Sequence, residues 1–208
     1  MAERRSYAKG IARREEILEM ALRVIAENGY SGATVRQIAD AVGITPMGVL
    51  HYFGTKEALF AEVLRRRDQR DLQDFGDSRV VADDLPGATA EFVRHNADVP
   101  GLVQLYAHLS TDAADPTHPS HAYFRDRFDQ VRATNAAGIE KAQRSGGIPQ
   151  EIDADRLAVI LTAVVDGLQS QWMYDPTIDM ADHIEYLWRV VVAGSTHSST
   201  GDHHDRGE

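Results

Sequence analysis

The sequence predicts an all-α fold with a helix-turn-helix motif near its N-terminus. Apolar residues recur at the three- and four-residue spacing of amphipathic helices along most of the 208 residues, and no segment shows sustained strand alternation. Glycines and prolines separate these segments. Residues 34–56 stand out because they place two short helices around a tight glycine turn, followed by the start of a third helix.

Stop and capping residues mark the first two helices. The first predicted helix covers residues 11–28 and ends at Gly29. Thr34 and Gln37 have capping-box spacing, in which the threonine hydroxyl accepts an N–H three residues on and the glutamine side chain reaches back to the threonine N–H. The second helix is predicted from an apolar stripe of Val35, Ile38, Ala39 and Val42.

The next helix is bounded in the same way. Gly43 lies just past the apolar stripe of the second helix, where a left-handed residue ends a helix. Thr45 caps the following helix, and Pro46 occupies its first position, where no N–H is needed. Gly54 stops this helix and Thr55 caps the long one that follows. The arrangement predicts a short recognition helix.

This third helix has the composition of an element that enters the major groove of DNA. Its first residues are small or polar, and Met47 and Leu50 are suited to contact a thymine methyl group. His51 and Tyr52 are suited to hydrogen bonds with phosphates or base edges, and Lys56 lies at a helix N-terminus, where its ammonium and the backbone N–H groups address the same phosphate. The same shape also occurs as a plain packing unit in helical proteins. The predicted DNA-contacting residues are Thr34, Arg36, Gln37, Thr45, Pro46, Met47, Gly48, Leu50, His51, Tyr52 and Lys56.

The charge of the chain is unevenly distributed. The whole chain has a formal net charge of −10, which by itself disfavours a nucleic-acid partner. Residues 1–70, however, hold 12 Lys and Arg against 9 Asp and Glu, whereas residues 71–208 hold 10 against 23. The basic N-terminus is either an arm that contacts phosphates or the minor groove, or a solvated, frayed terminus. Its basic residues are Arg4, Arg5, Lys9, Arg13 and Arg14.

Further helices follow along the rest of the chain. A break is predicted at Gly76-Asp77, a loop at residues 115–119, and a disordered polar tail from Ser195. The last two helices are apolar over more than one stripe, which is typical of helices that are deeply buried or packed against a second chain. The predicted helices cover about residues 55–75, 85–96, 101–113, 120–144, 153–174 and 179–193.

Residues 26–60 resemble the DNA-binding segment of the tetracycline-repressor (TetR) family of bacterial transcription regulators. Shared features are the Gly29-Tyr30 pair, the threonine-capped second helix, I-A-x-x-x-G-I-T, a recognition helix that ends in an aromatic pair, and T-K-E-A-L. The resemblance covers roughly the first third of the chain. Leu50 departs from it, because the family often has a tyrosine there whose hydroxyl bonds a phosphate. We expect His51 or Tyr52 to take over that contact.

The resemblance implies the domain organisation and the function. Residues 1–56 are expected to form the DNA-binding domain with its basic arm, residues 57–194 a helical effector-binding and dimerisation domain, and residues 195–208 a tail. The implied protein is a homodimeric regulator, a repressor that a small-molecule effector releases from a palindromic double-stranded operator. Two identical recognition helices on such a site lie about one helical turn, ~34–36 Å, apart.

The resemblance also implies where the effector and the second subunit bind. An effector cavity is usually apolar with a few polar groups, and the last two helices are expected to pair with those of another subunit. The expected pocket residues are Phe92, Gln104, Tyr106, His108, Phe124, Phe128, Asn135, Gln169 and Trp172. The expected dimer-interface residues are Leu161, Val164, Gly167, Leu168, Ile184, Leu187, Trp188 and Val191.

Composition argues against several other functions. The absence of cysteine excludes disulfides and thiolate sites. No apolar run reaches the length of a membrane span and no signal peptide is visible, so we expect a cytoplasmic protein without a membrane partner. His108 and Asp112 have ligand-like spacing but no clear third ligand, so we expect no metal. The sequence shows no phosphate-loop glycine pattern, no G-x-S-x-G motif and no cysteine nucleophile, so we expect no cofactor and no enzyme activity. Two alternatives stay open: a helix-turn-helix protein controlled by a protein partner instead of an effector, and a helical enzyme that keeps the motif as scaffold.

Overall fold

A computed structural model describes the backbone of residues 2–81 and 84–194 and the side chains of residues 7–71 and 84–193. The described residues form nine α-helices and no strand, which confirms the predicted all-α fold class. The helices are α1 (Ala2–Gly32), α2 (Val35–Val42), α3 (Pro46–Phe53), α4 (Lys56–Val81), α5 (Leu85–Ala97), α6 (Pro100–Asp112), α7 (His121–Arg144), α8 (Ala154–Trp172) and α9 (Met180–Gly194).

The predicted helix bounds agree with the structure to within two residues from α5 onward. Two expectations nearer the N-terminus are wrong. The break at Gly76-Asp77 does not occur, because α4 continues to Val81 and a glycine inside a helix costs only about 1 kcal/mol relative to alanine. Helix α1 also begins at Ala2, well before the predicted start. The predicted tail from Ser195 lies outside the described residues.

Gly29 kinks α1 near its end. Its backbone has φ 70° and ψ 175°, a conformation that a residue with a side chain rarely adopts. The helical turn after the kink closes with a hydrogen bond from the Ala33 N–H to the Gly29 carbonyl oxygen (3.0 Å). The helix was predicted to end at Gly29. Instead, the chain changes direction there and makes one more helical turn, which begins with Tyr30.

One compact unit comprises Met1–Asp74 and Asn96–Arg127. Its core joins the helix-turn-helix motif to α1, the first part of α4 and α6. The boundary predicted after residue 56 concerns function, whereas this unit is defined by packing, so that boundary stays a prediction. The fully buried apolar side chains of this unit include Ile17, Ala21, Ile25, Ile38, Val49, Leu59, Val63 and Leu105.

Helix α6 packs on α1 through a close backbone approach. A Cβ atom at Gly101 would overlap the carbonyl oxygen of Ile25, and a Cβ atom at Gly29 would meet the side-chain oxygen of Gln104. Gly101, Gln104 and His108 follow each other at helical spacing, so they lie on one face of α6. This face runs along the C-terminal part of α1 and sets the register of the two helices.

Charged side chains are buried and paired in the same unit. Arg67 is 9% exposed and contacts the side-chain oxygen of Asn96 and the carboxylate of Asp71. Asp68 accepts hydrogen bonds from the Tyr123 hydroxyl (2.6 Å) and the Arg127 Nε–H (2.9 Å). Burial first, and then the Asp68 carboxylate, raise the pKa of Tyr123, so its phenol stays protonated and remains a donor.

The other compact unit comprises Phe75–His95 and Phe128–Glu208. Helices α8 and α9 pack against each other in it, and Leu161, Ile184 and Trp188 are 3% exposed or less. Asn135 of α7 donates from Nδ2 to the Thr162 hydroxyl of α8 (3.3 Å). This hydrogen bond links α7 to the pair formed by α8 and α9.

We predict that Gly101→Ala destabilises the protein and that Gly10→Ala does not. The added Cβ at residue 101 meets backbone that no rotamer change can move, so the free energy of unfolding should fall by about 1–3 kcal/mol. A Cβ at Gly10 meets nothing within 4 Å, so alanine there should raise the free energy of unfolding by about 0.5–1 kcal/mol. Urea denaturation followed by circular dichroism, at one protein concentration, measures both. Equal stability of the two variants would contradict the proposed packing of α6 on α1.

Candidate nucleic-acid interface

The helix-turn-helix motif has the predicted caps. Thr34 and Gln37 form a complete capping box, with Gln37 N–H donating to the Thr34 hydroxyl (3.2 Å) and Thr34 N–H to Gln37 Oε1 (2.9 Å). Gly43 is left-handed (φ 75°) and ends α2. The Thr45 hydroxyl accepts from the Gly48 N–H (3.0 Å) at the start of α3. The turn between α2 and α3 is thus fixed by local hydrogen bonds.

Helix α3 has one buried and one open face. Val49 is fully buried and Phe53 is half-buried, which anchors the helix to the core. Met47 is 75% exposed and Tyr52 is 36% exposed. The exposed side chains are those that sequence analysis assigned to DNA, and they form a surface of small, apolar and aromatic groups. The other predicted contact residues of this segment lie as follows: Thr45, Pro46 and His51 are exposed, and Gly48 and Leu50 are half-buried.

The two cap threonines have limited hydrogen-bonding capacity left. The Thr34 hydroxyl accepts from the Gln37 N–H and donates to Gln37 Oε1 (2.9 Å), so both of its roles are used within the chain. The Thr45 hydroxyl accepts within the chain but keeps its own proton for a phosphate or base acceptor. The exposed Gln37 amide also keeps its two N–H donors.

Lys56 is held by aromatic rings at the start of α4. Its Nζ lies 5.4 Å from the centre of the Tyr30 ring and 5.0 Å from that of Phe60, within the range of cation–π attraction. No carboxylate of the described residues pairs with it. Thr55 caps the first turn of α4 by accepting from the Ala58 N–H (3.1 Å). The ammonium is therefore positioned but not neutralised, as a phosphate contact requires.

Tyr30 is a residue that sequence analysis did not assign to the site. Its ring lies edge-on to Phe60 (5.9 Å between centroids) and stacks on His108 (4.9 Å, 17° between planes). Burial, followed by the charges of Asp112 and Glu57, raises the pKa of Tyr30, so the phenol is neutral. The signal in the sequence was Gly29, whose left-handed backbone places Tyr30 outside the line of α1.

Two basic residues of the N-terminal stretch belong to the scaffold. Arg14 pairs with Glu62 (2.6 Å), and its guanidinium lies 4.9 Å from the centre of the Phe53 ring. Arg13 donates to the Val42 carbonyl oxygen (3.1 Å) at the end of α2. Lys9 and Arg36 are exposed and carry no ion pair among the described residues. The side chains of Arg4 and Arg5 lie outside the described residues.

Four predicted effector-pocket residues lie in the unit that carries the helix-turn-helix motif. Tyr106 and Phe124 are 7% and 3% exposed, with ring centroids 5.9 Å apart, and are part of its core. Gln104 lies beside Gly29, and His108 is exposed and stacks on Tyr30. These four side chains are therefore engaged in packing within this unit.

The remaining pocket candidates lie in the other unit. Phe92, Phe128 and Trp172 are half-buried. Asn135 is bound to Thr162. Gln169 is only 5% exposed, and its side-chain amide makes no hydrogen bond with any described residue. Among the described residues, the fully buried side-chain N and O atoms without a hydrogen-bond partner belong to Glu15, Arg66, Ser120 and Trp188, and those of Gln169 are not among them.

The predicted dimer-interface residues of α8 and α9 differ in burial within the single chain. Leu161, Leu168, Ile184 and Trp188 are at most 8% exposed and belong to its core. Val164, Gly167, Leu187 and Val191 are half-buried. A second apolar stripe on the same helices is exposed instead. Its members, with exposures of 39–60%, are Val159, Ile160, Tyr186, Val190 and Val192.

No helix in the described part of the chain is both long and apolar enough to cross a membrane. No group of three or more histidine, aspartate or glutamate side chains is arranged there to hold a metal ion.

Comparisons with known proteins match both ends of the chain. Residues 17–63 match a family model described as bacterial regulatory proteins, tetR family. Residues 111–194 match the model of the BetI-type transcriptional repressor C-terminal region. The chain is also similar to the HTH-type transcriptional repressor AcnR of Corynebacterium diphtheriae, with 32% identity over 163 residues that cover 76% of this chain and 80% of that protein.

Solved structures share the fold. A transcriptional regulator of Saccharomonospora viridis in complex with choline is 25% identical, with a TM-score of 0.67, and the match covers 85% of this chain and 93% of that one. The regulator FadR of Bacillus subtilis in complex with stearoyl-CoA has a TM-score of 0.61 over 86% of this chain and 98% of its own. It is 17% identical, so it supports the fold alone.

Proposed function

Because the chain belongs to the tetracycline-repressor (TetR) family of bacterial regulatory proteins, we propose that it is a dimeric repressor that a small molecule releases from a palindromic operator. The observation that carries this proposal is the α3 surface. Helix α3 is capped by Thr45 and anchored in the core by Val49, so its other side chains are presented to solvent. The ammonium of Lys56, which has no ion pair, lies at the start of the next helix. The protein acts in the cytoplasm and by binding, without catalysis.

DNA recognition divides between phosphate contacts and base contacts. Lys56 and Arg36 are cations without an ion pair, so they address phosphates and set position on the duplex. Thr45 and Met47 lie at the exposed N-terminal end of α3, where a hydroxyl donor and a thioether-bearing apolar chain meet base edges. The hydroxyl that Leu50 lacks is supplied by Tyr52, which is exposed on the same helix.

Release by an effector requires a ligand with different affinities for the operator-binding and the released conformations. We place this ligand beside Gln169, in the unit that also contains the half-buried aromatic side chains of Phe92, Phe128 and Trp172. None of the pocket candidates in that unit, which are Phe92, Phe128, Asn135, Gln169 and Trp172, carries a charge. We infer that the effector has an apolar body and one polar group that pairs with an amide, and a neutral amide is the first probe of that kind.

The proposal is tested by selecting genomic DNA fragments that bind the purified protein. We expect enriched fragments to share a palindrome whose half-sites lie about 10 bp apart or a multiple of it. Absence of any enriched fragment would contradict the proposed function.

We predict that Lys56→Ala weakens binding to the selected fragment and to unrelated DNA alike. One phosphate contact is lost, so the slope of log affinity against log salt should become shallower by about one. Fluorescence anisotropy at several salt concentrations measures both quantities. Arg144→Ala, at an exposed basic residue in the last turn of α7, is the control and should behave as the wild type. An unchanged salt slope for Lys56→Ala would rule out the phosphate contact.

We predict that Ile160→Asp converts the dimer to a monomer. Ile160 is 52% exposed in the single chain, so aspartate is tolerated there until a second chain buries it, where an unpaired carboxylate is costly. Light scattering after size-exclusion chromatography gives the mass. Ala137→Asp, on the exposed face of α7, should leave the mass unchanged. A dimer of normal affinity in Ile160→Asp would place the interface elsewhere.

We predict that Gln169→Leu raises the melting temperature and weakens the binding of a neutral amide ligand. Leucine replaces the polar end of a side chain that is only 5% exposed with apolar atoms, which is stabilising if the ligand is absent. The probes are decanamide, decanoate, decyltrimethylammonium and choline, followed by the fluorescence of Trp172 and Trp188. Decanamide should bind the wild type best and the variant at least about tenfold more weakly. Tighter binding of choline would instead point to a cationic effector, and binding of none to control by a protein partner.

A further inference from the structure

His108 lies outside the segment that is predicted to contact DNA. It is connected to Lys56 through one intermediate residue, Tyr30. Its imidazole stacks on the Tyr30 ring at 4.9 Å with 17° between the planes. The Tyr30 ring in turn lies 5.4 Å from the Lys56 ammonium. All three residues belong to the same compact unit.

The stack follows from the register of α6 on α1. Gly101 lies against the Ile25 backbone and Gln104 lies against Gly29. His108 is the next residue on that face of α6, and Tyr30 is the next residue of α1 after the kink. The position of His108 is therefore set by buried backbone contacts, although the imidazole itself is exposed.

Tyr30 has few other constraints. Its phenol takes part in no hydrogen bond within the described residues, and Phe60 meets the ring edge-on at 5.9 Å. An edge contact leaves the ring free to tilt, whereas a parallel stack restricts its plane. The ring plane matters because a cation is attracted to the face of an aromatic ring and not to its edge.

Lys56 depends on that ring for its position. It has no carboxylate partner among the described residues, and a lysine side chain otherwise samples many rotamers. Two rings, Tyr30 and Phe60, hold the ammonium. A lysine that is already in place gives up less entropy when it binds a phosphate.

We propose that His108 is a positioning residue for DNA binding, which acts by holding the Tyr30 ring against the Lys56 ammonium. This rests on the proposed function, since Lys56 must contact a phosphate. Helix α6 thereby influences DNA affinity through α1 without touching DNA.

The test compares a ring with an apolar side chain of similar volume at residue 108. His108→Phe keeps the stack and His108→Leu removes it. The probe is the genomic fragment selected with the wild-type protein, labelled with fluorescein and measured by anisotropy over a range of salt. His108→Leu should bind roughly threefold to tenfold more weakly with a shallower salt slope, and His108→Phe should restore both.

A double-mutant cycle with Lys56→Ala separates positioning from general stabilisation. In the Lys56→Ala background, His108→Leu should have no further effect on DNA affinity, because the contact it supports is gone. Melting temperatures of all variants, and of His183→Ala on α9 as a control histidine, are measured in parallel.

Three outcomes overturn the proposal. These are wild-type affinity for His108→Leu, equally weak binding by the phenylalanine and leucine variants, and an undiminished effect of His108→Leu in the Lys56→Ala background. Failure of the proposed function is recognised separately, because selection with the wild-type protein would then enrich no genomic fragment. Failure of the Lys56 phosphate contact alone is recognised by wild-type affinity and salt slope in Lys56→Ala. If His108→Leu is unstable, Tyr30→Leu paired with Tyr30→Phe gives the same comparison from the other side of the stack.

Discussion

The close contact of α6 with α1 is the constraint on which the first compact unit depends. It exists because Gly101 has no side chain to keep the two backbones apart, so the helix can lie against the Ile25 carbonyl. Leu105 and Ile25 are fully buried as a result. The same register brings Gln104 to the kink at Gly29 and His108 to Tyr30. The contact between these two scaffold helices thus places the stacked rings of His108 and Tyr30 next to Lys56, the cation that follows α3 in the chain.

The basic residues of this unit serve two different purposes. Arg13 and Arg14 bind a helix carbonyl and a glutamate, so they hold α1 to α2 and α4. Arg36 and Lys56 have no such partner among the described residues. The excess of positive charge over residues 1–70 therefore overstates what is available to phosphates. Pairing, and not the count of basic residues, decides which cations can bind DNA.

Helices α8 and α9 each carry two apolar stripes with different environments. The stripe that contains Leu161 and Ile184 packs inside the chain, where burial of each such side chain contributes about 1.5–3 kcal/mol. The stripe that contains Ile160 and Val190 is about half exposed. An exposed apolar stripe that extends over two adjacent helices is typical of a protein interface. Gln169, by contrast, is a polar side chain that is only 5% exposed, and it is the residue beside which we propose that the effector binds.

Much of the fold could be predicted from the sequence because its signals are local. The caps at Thr34 and Thr45, the left-handed Gly43 and the bounds of the later helices depend on residues within one or two turns, and a short motif encodes them completely. The exposed face of α3 follows from the same spacing, with Val49 on the buried side.

Contacts between residues that are far apart in the chain were decided only by the tertiary structure. They include the burial of Ile184 rather than Val190, the pairing of Arg14 with Glu62, and the stacking of Tyr30 on His108. Helical periodicity states that a face is apolar, but two apolar faces on one helix have the same period. Which of them is buried depends on the neighbouring helix that packs against it.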